Sequence, residues 1–316
     1  RLTRLLAEVD AIKPRVLLVD GLPFGSKSDA DDIMSLIAKI RDQHLGEVMV
    51  AAISDSVMSD QFYCAEKEAD WCARILNSCF DAVIVRSDPM FARFEEFFQP
   101  NIVVEIPVYH VGFVPPSEAT ADRLFSDRRG IAVLAGYGQH GPRLLQSSIE
   151  AQKILRRTTG EPMTIVVPGE LFPAMKDELE KQAEGVAGLT LKYDVADEEF
   201  EMASARWCVC CCNERTATHV MRSDTPAIIV PDAPRNQQEN TERARRLVHW
   251  GAGRMLMPWH VNGASLANEI QQLMKFERRK ARFNLQGADN VARLISQALY
   301  PQDPLHPELG AGRRLH

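Results

Sequence analysis

Residues 131–145 read IAVLAGYGQHGPRLL. An aliphatic, β-branched run from Ile131 to Ala135 stops at Gly136, passes Gly138 and Gly141, and resumes behind Pro142 with leucines that open a helical pattern. That is a strand, a glycine-rich turn and a helix, because proline is tolerated in a first helical turn where its missing N–H would have no partner. Glycines let a backbone approach an anion closely, and a helix N-terminus offers unpaired N–H groups and partial positive charge. A phosphate is therefore the expected guest of Gly136, Tyr137, Gly138, Gln139, His140 and Gly141; the alternative is a tight turn without a ligand. A dinucleotide fold would place an acid at the end of the next strand, about 20 residues on. Here that strand ends at Val166-Val167-Pro168-Gly169, and Glu170 lies beyond the proline. This demotes a dinucleotide and leaves a nucleoside diphosphate open.

Further strands follow at Met163–Val167, Leu189–Tyr193, Cys208–Cys212 and Ala227–Val230, with helices between them and a last helix at about 288–299. Upstream, Val16–Asp20, Val48–Ile53, Ala82–Val85 and Ile102–Ile106 are short apolar runs, with helical patterns near 29–44 and 60–78. Strand and helix alternate in both blocks, which predicts an α/β chain with parallel sheets. Val114-Pro115-Pro116-Ser117 and the polar stretch after it separate the blocks. The expected division is an N-terminal domain over 1–115, a linker over 116–130, a C-terminal domain over 131–299 and a tail over 300–316. The chain opens on Arg1 and at once enters an amphipathic stretch, so the first domain is expected to be truncated.

At 316 residues two domains are the natural prior. With 45% hydrophobic and 25% charged residues the composition is that of a globular protein. The formal charge of −6 speaks against a general nucleic-acid binder, which needs a basic field. No apolar run approaches the length of a membrane span, and a cytoplasmic location is expected.

Four of the seven cysteines stand in WCVCCCNERTAT, residues 207–218. In a strand, Cys208, Cys210 and Cys212 point one way and Cys211 the other, so they do not converge on one tetrahedral zinc. Adjacent cysteines also pair poorly as disulfides. The reading adopted is a buried strand in which cysteine acts as a small hydrophobe, delivering a turn at Asn213-Glu214-Arg215.

From about residue 131 to 275 the second block resembles the C-terminal domain of GT-B glycosyltransferases, in the branch of the peptidoglycan-precursor N-acetylglucosaminyltransferases. The glycine-rich turn, the ungapped stretch ARWCVCCCNERTATHVMRSDTPAIIVP with Thr216, Pro226 and Pro231 at its fixed points, and the polar stretch PRNQQENTERARRLVHWGAG carry the resemblance. In the first block, VDGLPFG, VRSDP and YHVGFV resemble segments of a subgroup of such transferases. The resemblance implies two Rossmann-like domains facing across a cleft. It also implies a nucleotide-sugar donor, a UDP-sugar in the branch named, and inverting transfer of a hexosyl group by direct displacement. No divalent-metal cluster stands out in the sequence, so metal-independent transfer fits, and no cofactor is expected. Asn213 stands where the family has glycine, and a left-handed backbone is expected of it. His219 stands where the family has a glutamate that accepts both ribose hydroxyls; one imidazole nitrogen accepts one such bond, and the competing reading is a surface or packing histidine.

The donor-sugar loop is read as Gln237 and Gln238 counting forward, or Glu239 and Asn240 counting backward, against the alternative of a solvated polar loop. The family's catalytic base falls on a loop this chain does not contain; Asp20 and His110 are the nearest local candidates. The acceptor is undefined: small molecule, lipid-linked or polysaccharide. Leu2, Leu5, Leu6 and Arg278-Arg279-Lys280-Arg282, flanked by Phe276 and Phe283, are the candidates for a peripheral membrane contact, against a solvated helix face. A scaffold that keeps the fold without catalysis and a nucleotide-sugar epimerase are the competing functions.

Overall fold

The computed structural model describes residues 2–25, 30–44, 48–58, 66–115, 127–136, 141–169, 173–232, 238–279 and 281–300. The chain forms two compact units, one of residues 1–114 with 283–316 and the other of residues 115–282.

The first unit runs α1 (Leu2–Ile12), β1 (Val16–Asp20), α2 (Ala30–His44), β2 (Met49–Ser54), α3 (Glu66–Cys79), β3 (Ala82–Val85), α4 (Phe94–Phe97) and β4 (Val108–His110). Its strands pair in parallel in the order β1-β2-β3-β4. The run 102–106, expected as the fourth strand, is not one. Its backbone groups are claimed by side chains of α3: Asp70 accepts from Asn101 N at 2.6 Å, while Asn77 donates to Val103 O at 2.8 Å and accepts from Glu105 N at 2.9 Å. Apolar content marked the segment, but the ladder forms one step later. Leu2, Leu5 and Leu6, partly buried, pack against Val9, Leu36, Ile40 and Val48 in the α1–α2 core.

The last helix, here α11 (Gly287–Leu299), corrects the expected division. It returns to the first unit, where Val291 and Leu294 pack with Ala51, Ala82, Ile84 and Val111. The segment before it is laced to two stretches singled out from the sequence. Asp88 of VRSDP accepts from Asn284 N at 2.7 Å and Met90 N at 2.8 Å. Phe113 N donates to Asn284 O at 2.8 Å, and Gly287 N to Phe113 O at 2.9 Å. Phe283 stands edge-on to Phe91 and Phe113, with centroids 5.5 and 6.2 Å away. Helical periodicity could place α11 as a helix but not say which sheet it covers.

The second unit runs β5 (Ile131–Leu134), α5 (Gly141–Thr158), β6 (Met163–Val167), α6 (Pro173–Ala183), β7 (Leu189–Tyr193), α7 (Glu198–Ser204), β8 (Trp207–Cys212), α8 (Glu214–Ser223), β9 (Ala227–Pro231), α9 (Glu239–His249), β10 (Gly253–Met255) and α10 (Gly263–Leu273). Its six parallel strands lie in the order β10-β9-β8-β5-β6-β7. Strand order reverses between β5 and β8, and in such sheets ligands bind beyond the carboxyl ends of the strands at that point. One core joins Val133, Val209, Cys211 and Ile228 to Leu144, Ile149, Leu266 and Ile270 of α5 and α10.

Arg278 is spent inside this unit. It donates to Thr225 O at 2.5 Å and Val220 O at 2.6 Å, at the C-terminus of α8, where Arg128 also donates to Ser223 O at 2.7 Å. Cations are favoured at a helix C-terminus. Burial lowers the Arg278 pKa to about 10. Phe276 packs on the core, and Arg279 N donates to Gly251 O at 3.1 Å. These contacts, together with the aromatic cluster of Phe283, leave the membrane-contact reading without Arg278 or its flanking phenylalanines.

Candidate functional site

The site assembles where the order of the second sheet reverses. Gly136 leaves β5 with φ +63°, a left-handed conformation that favours glycine. A Cβ on Gly136 would lie 3.7 Å from the Cys211 side chain and 4.0 Å from Asn213 Nδ2, so the β5 turn and the β8 turn are neighbours. Gly141 opens α5 directly over the strand end, where a Cβ would lie 3.1 Å from the carbonyls of Ala135 and Gly136. Tyr137, Gly138, Gln139 and His140 lie outside the described residues.

Asn213 does not take the left-handed backbone expected of it. Its φ of −133° and ψ of −175° are extended, and it is the N-cap of α8. Asn213 Oδ1 accepts from Thr216 N at 2.9 Å, and Thr216 Oγ1 accepts from Asn213 N at 2.9 Å. An N-cap requires the extended region for its side chain to reach the third helical N–H. Asparagine therefore replaces glycine by a different local solution. The Thr216 hydroxyl donates to Cys211 O at 2.6 Å, which pins the helix start to the strand it follows.

Cys208 to Cys212 are all buried in β8, as expected of small hydrophobes. A hydrogen bond with Cys208, then burial, raises the Cys210 pKa; burial first of all raises those of Cys211 and Cys212. Raised thiol pKa values make these sulfurs poor nucleophiles.

His219 is internal, 2% exposed. Its Nδ1 lies 3.1 Å from Glu199 Oε2, and Arg222 Nε lies 3.0 Å from Glu199 Oε1. A carboxylate can only accept, so Nδ1 carries a proton toward Glu199. Nε2 is buried and has no partner among the described residues. His219 is thus packed inside the unit rather than on its surface.

Gln237 lies outside the described residues, Gln238 is exposed at the N-cap of α9, and Glu239 begins that helix. Asn240 turns inward. It donates to Asp232 O at 2.5 Å and accepts from Arg243 Nη1, while Arg243 Nη2 lies 2.7 Å from Glu214 Oε2. Asn240 thereby ties the exit of β9 to the starts of α8 and α9. Sequence reasoning missed Asp232 and Arg243; the signal available was an acid directly after the β9 strand and an arginine on the inward face of α9.

In the first unit, His110 Nε2 accepts from Phe94 N at 3.1 Å, which occupies the lone pair a base would use. Asp20 has an exposed side chain 3.6 Å from Arg86 Nη1, and Arg86 also pairs with Asp55. Among the described residues no group of His, Cys, Asp and Glu is arranged to hold a metal ion, and no helix is long and apolar enough to cross a membrane.

No family model and no curated protein matches the sequence. Solved structures do match the fold. A protein of Listeria monocytogenes assigned as a UDP-N-acetylglucosamine 2-epimerase superposes with a TM-score of 0.61 at 12% identity, over 96% of this chain and 79% of that one. The MurG of Acinetobacter baumannii gives 0.53 at 15% identity, over 92% and 71%. The spinosyn rhamnosyltransferase SpnG, solved with thymidine diphosphate, gives 0.53 at 15% identity, over 95% and 73%. The fold is GT-B. Identities this low carry the architecture and leave the chemistry to the residues of this chain.

Proposed function

We propose that this GT-B chain is a glycosyltransferase that takes a hexosyl group from a nucleotide-sugar, with the nucleotide diphosphate at the junction of β5 and β8, and passes it to an acceptor. The observation that carries the reading is the meeting of the Gly136 turn and the capped start of α8, with α5 opening over the same strand end. Backbone N–H groups at these two helix starts can stabilise charge developing on a leaving diphosphate. The reading includes inversion by direct displacement, as the resemblance implies, and transfer without a metal; activity that persists in EDTA would support it. Asp20 is the local base candidate whose lone pairs the described hydrogen bonds leave open.

Asn213→Asp tests the proposal without disturbing the cap. Aspartate caps a helix as well as asparagine does and is favoured at a helix N-terminus. It also adds a negative charge beside the Gly136 turn. The expected result is an unchanged or slightly higher melting temperature, with calorimetric affinity for UDP or dTDP lowered about tenfold or more. Equal affinity in both proteins would refute the placement. A second reading, a scaffold of this fold without transfer activity, is favoured by the inward commitment of His219, Thr216 and Asn240; donor binding with no hydrolysis or transfer would select it. Conversion of a UDP-sugar at C2 with no acceptor would select an epimerase.

A further inference from the structure

β7 is the last strand of the second sheet and, among the described residues, pairs only with β6. Met163 N donates to Gly188 O at 2.8 Å, and in a parallel ladder alternate residues turn their backbone groups to the same neighbour. Gly188, Thr190 and Lys192 therefore face β6, and Leu189, Leu191 and Tyr193 face the outer edge. Leu189 N is taken up by Val186 O at 3.3 Å, whereas the Leu191 N–H and C=O have no backbone partner among the described residues. Such a row of groups is a template on which another strand can pair.

Beside this edge an open groove of about 590 Å³ runs between β7 and α6. Leu189, Leu191 and Tyr193, from one face of β7, form its partly buried floor. Asp177, Glu180 and Glu184, from one face of α6, form an exposed acidic wall. Lys181 also lines the groove, so three acids stand against one base. Lys176 lies over the Tyr193 ring, 4.3 Å from its centroid. Burial and then Glu180 raise the pKa of the Tyr193 hydroxyl to about 12, so the floor itself carries no charge. On the opposite face of β7, Lys192 Nζ bonds both oxygens of Glu201 at 2.7 and 2.8 Å. Among the described residues none of the three wall acids is in a salt bridge, so their charge is left for a partner.

Charge decides which strand fits. An antiparallel β7–β7 pair with a second copy of this chain has its two-fold axis normal to the sheet, which keeps both α6 helices on one face and brings their acidic walls together. Like charges so placed oppose that pairing. We infer that the β7 edge is the docking site for an extended basic segment of a partner protein, which adds a strand to the second sheet and sets lysine or arginine side chains against Asp177, Glu180 and Glu184. Successive side chains of a strand point to opposite faces, so alternate residues of the segment meet the α6 wall. Main-chain pairing supplies the affinity and the alternate side chains the specificity. β7 is separated from β5 by β6, so the inference stands independently of the nucleotide-sugar reading.

The probe is a fluorescein-labelled peptide of about eight residues that alternates lysine and valine, read by anisotropy at low salt. Two further peptides control it: one with every backbone nitrogen methylated, which keeps the charge and removes the N–H donors, and one with glutamate in place of lysine. The protein variant is Asp177→Lys combined with Glu184→Lys. Wild type is expected to bind the lysine peptide with a Kd of about 100 µM or tighter and not to bind the glutamate peptide. Methylation of the peptide and the double substitution should each weaken binding about tenfold or more. The melting temperature of the variant should stay within about 2 °C of wild type, because both side chains are exposed. Undiminished binding of the methylated peptide would mean attraction without strand pairing, and undiminished binding to the variant would put the peptide elsewhere; either overturns the inference. Absence of binding to wild type overturns it too. A dimer in sedimentation that the peptide dissociates would make a second copy the natural occupant, and the basic partner would fall.

Discussion

Glycine marks both the motifs of the first unit and the turn of the second, and the two uses differ. A Cβ on Gly112 would lie 2.7 Å from Asn284, and one on Gly287 would lie 2.5 Å from Phe113 O and 2.7 Å from Gly112 O. There the missing side chain lets the chain pack against itself. At Gly136 the nearest atoms to such a Cβ among the described residues are 3.7 Å and 4.0 Å away, ordinary contact distances. There glycine is favoured by φ +63° rather than by crowding from the described residues. The first pattern closes a fold; the second is the turn at which the proposed function seats a diphosphate. Likewise Asp88, which looks like part of a functional signature, is a clamp on the returning segment, whereas Asp232, which belongs to no signature, has a carboxylate oxygen that no described residue engages.

The sharpest way to break this comparison is to add the missing methyl group on each side. Gly287→Ala drives a Cβ into backbone carbonyls that cannot swing away, and should cost about 3 kcal/mol. Gly112→Ala adds a backbone penalty at φ +90° to a similar clash and should cost at least as much. Urea unfolding of the first unit is the measurement. A shift of less than about 1 kcal/mol in both would mean that the returning segment does not seat against Gly112 as described.

Gly136→Ala should do less to stability and more to binding. Its strain is the left-handed penalty alone, about 1 kcal/mol. Any relaxation of that backbone moves the turn away from Asn213, so nucleotide affinity should fall by about tenfold. If Gly136→Ala instead destabilised as strongly as Gly287→Ala and left binding intact, the contrast between the two glycine uses would be lost.

The sequence made the alternation of strands and helices legible because short β-branched runs and helical periodicity are local signals. It also located the Gly136 turn and the burial of the cysteine strand, since both follow from residue type and chain position. Two things were not local, and a third was local but misread. The fourth strand was misplaced because Asp70 and Asn77, more than 20 residues earlier, capture the backbone of 101–105. Helix α11 was assigned to the wrong unit because its partners, Ala51 and Ala82, are some 200 residues upstream. Asn213 was read from the conformation of the glycine it replaces, although its side chain offered capping as another way to start the same helix. The donor-loop residues were ambiguous by two positions, and of the four candidates Asn240 is turned inward, onto Asp232 O and Arg243.

The smallest expected effect concerns His110, which separates a structural histidine from a catalytic one within the first unit. Burial lowers its pKa below the ordinary 6.5; Glu95 and Asp88 oppose the shift, Arg93 adds to it and Glu96 opposes it. Its Nε2 accepts from Phe94 N, a bond that only the neutral ring can make. The unfolded chain therefore binds the proton more readily than the folded one. The stability contributed by neutral His110 is present above about pH 6.5 and is lost as pH falls from there through the lowered folded value. His110→Gln keeps an acceptor and cannot titrate, so the decline in melting temperature from pH 7 to about 5.5 should be shallower in the variant than in wild type. A histidine whose lone pair is committed in this way should leave the pH profile of any transfer activity in place when replaced by glutamine. Loss of activity with an unchanged melting profile would instead return His110 to the position of a base, and would place a reacting group among the motifs of the first unit.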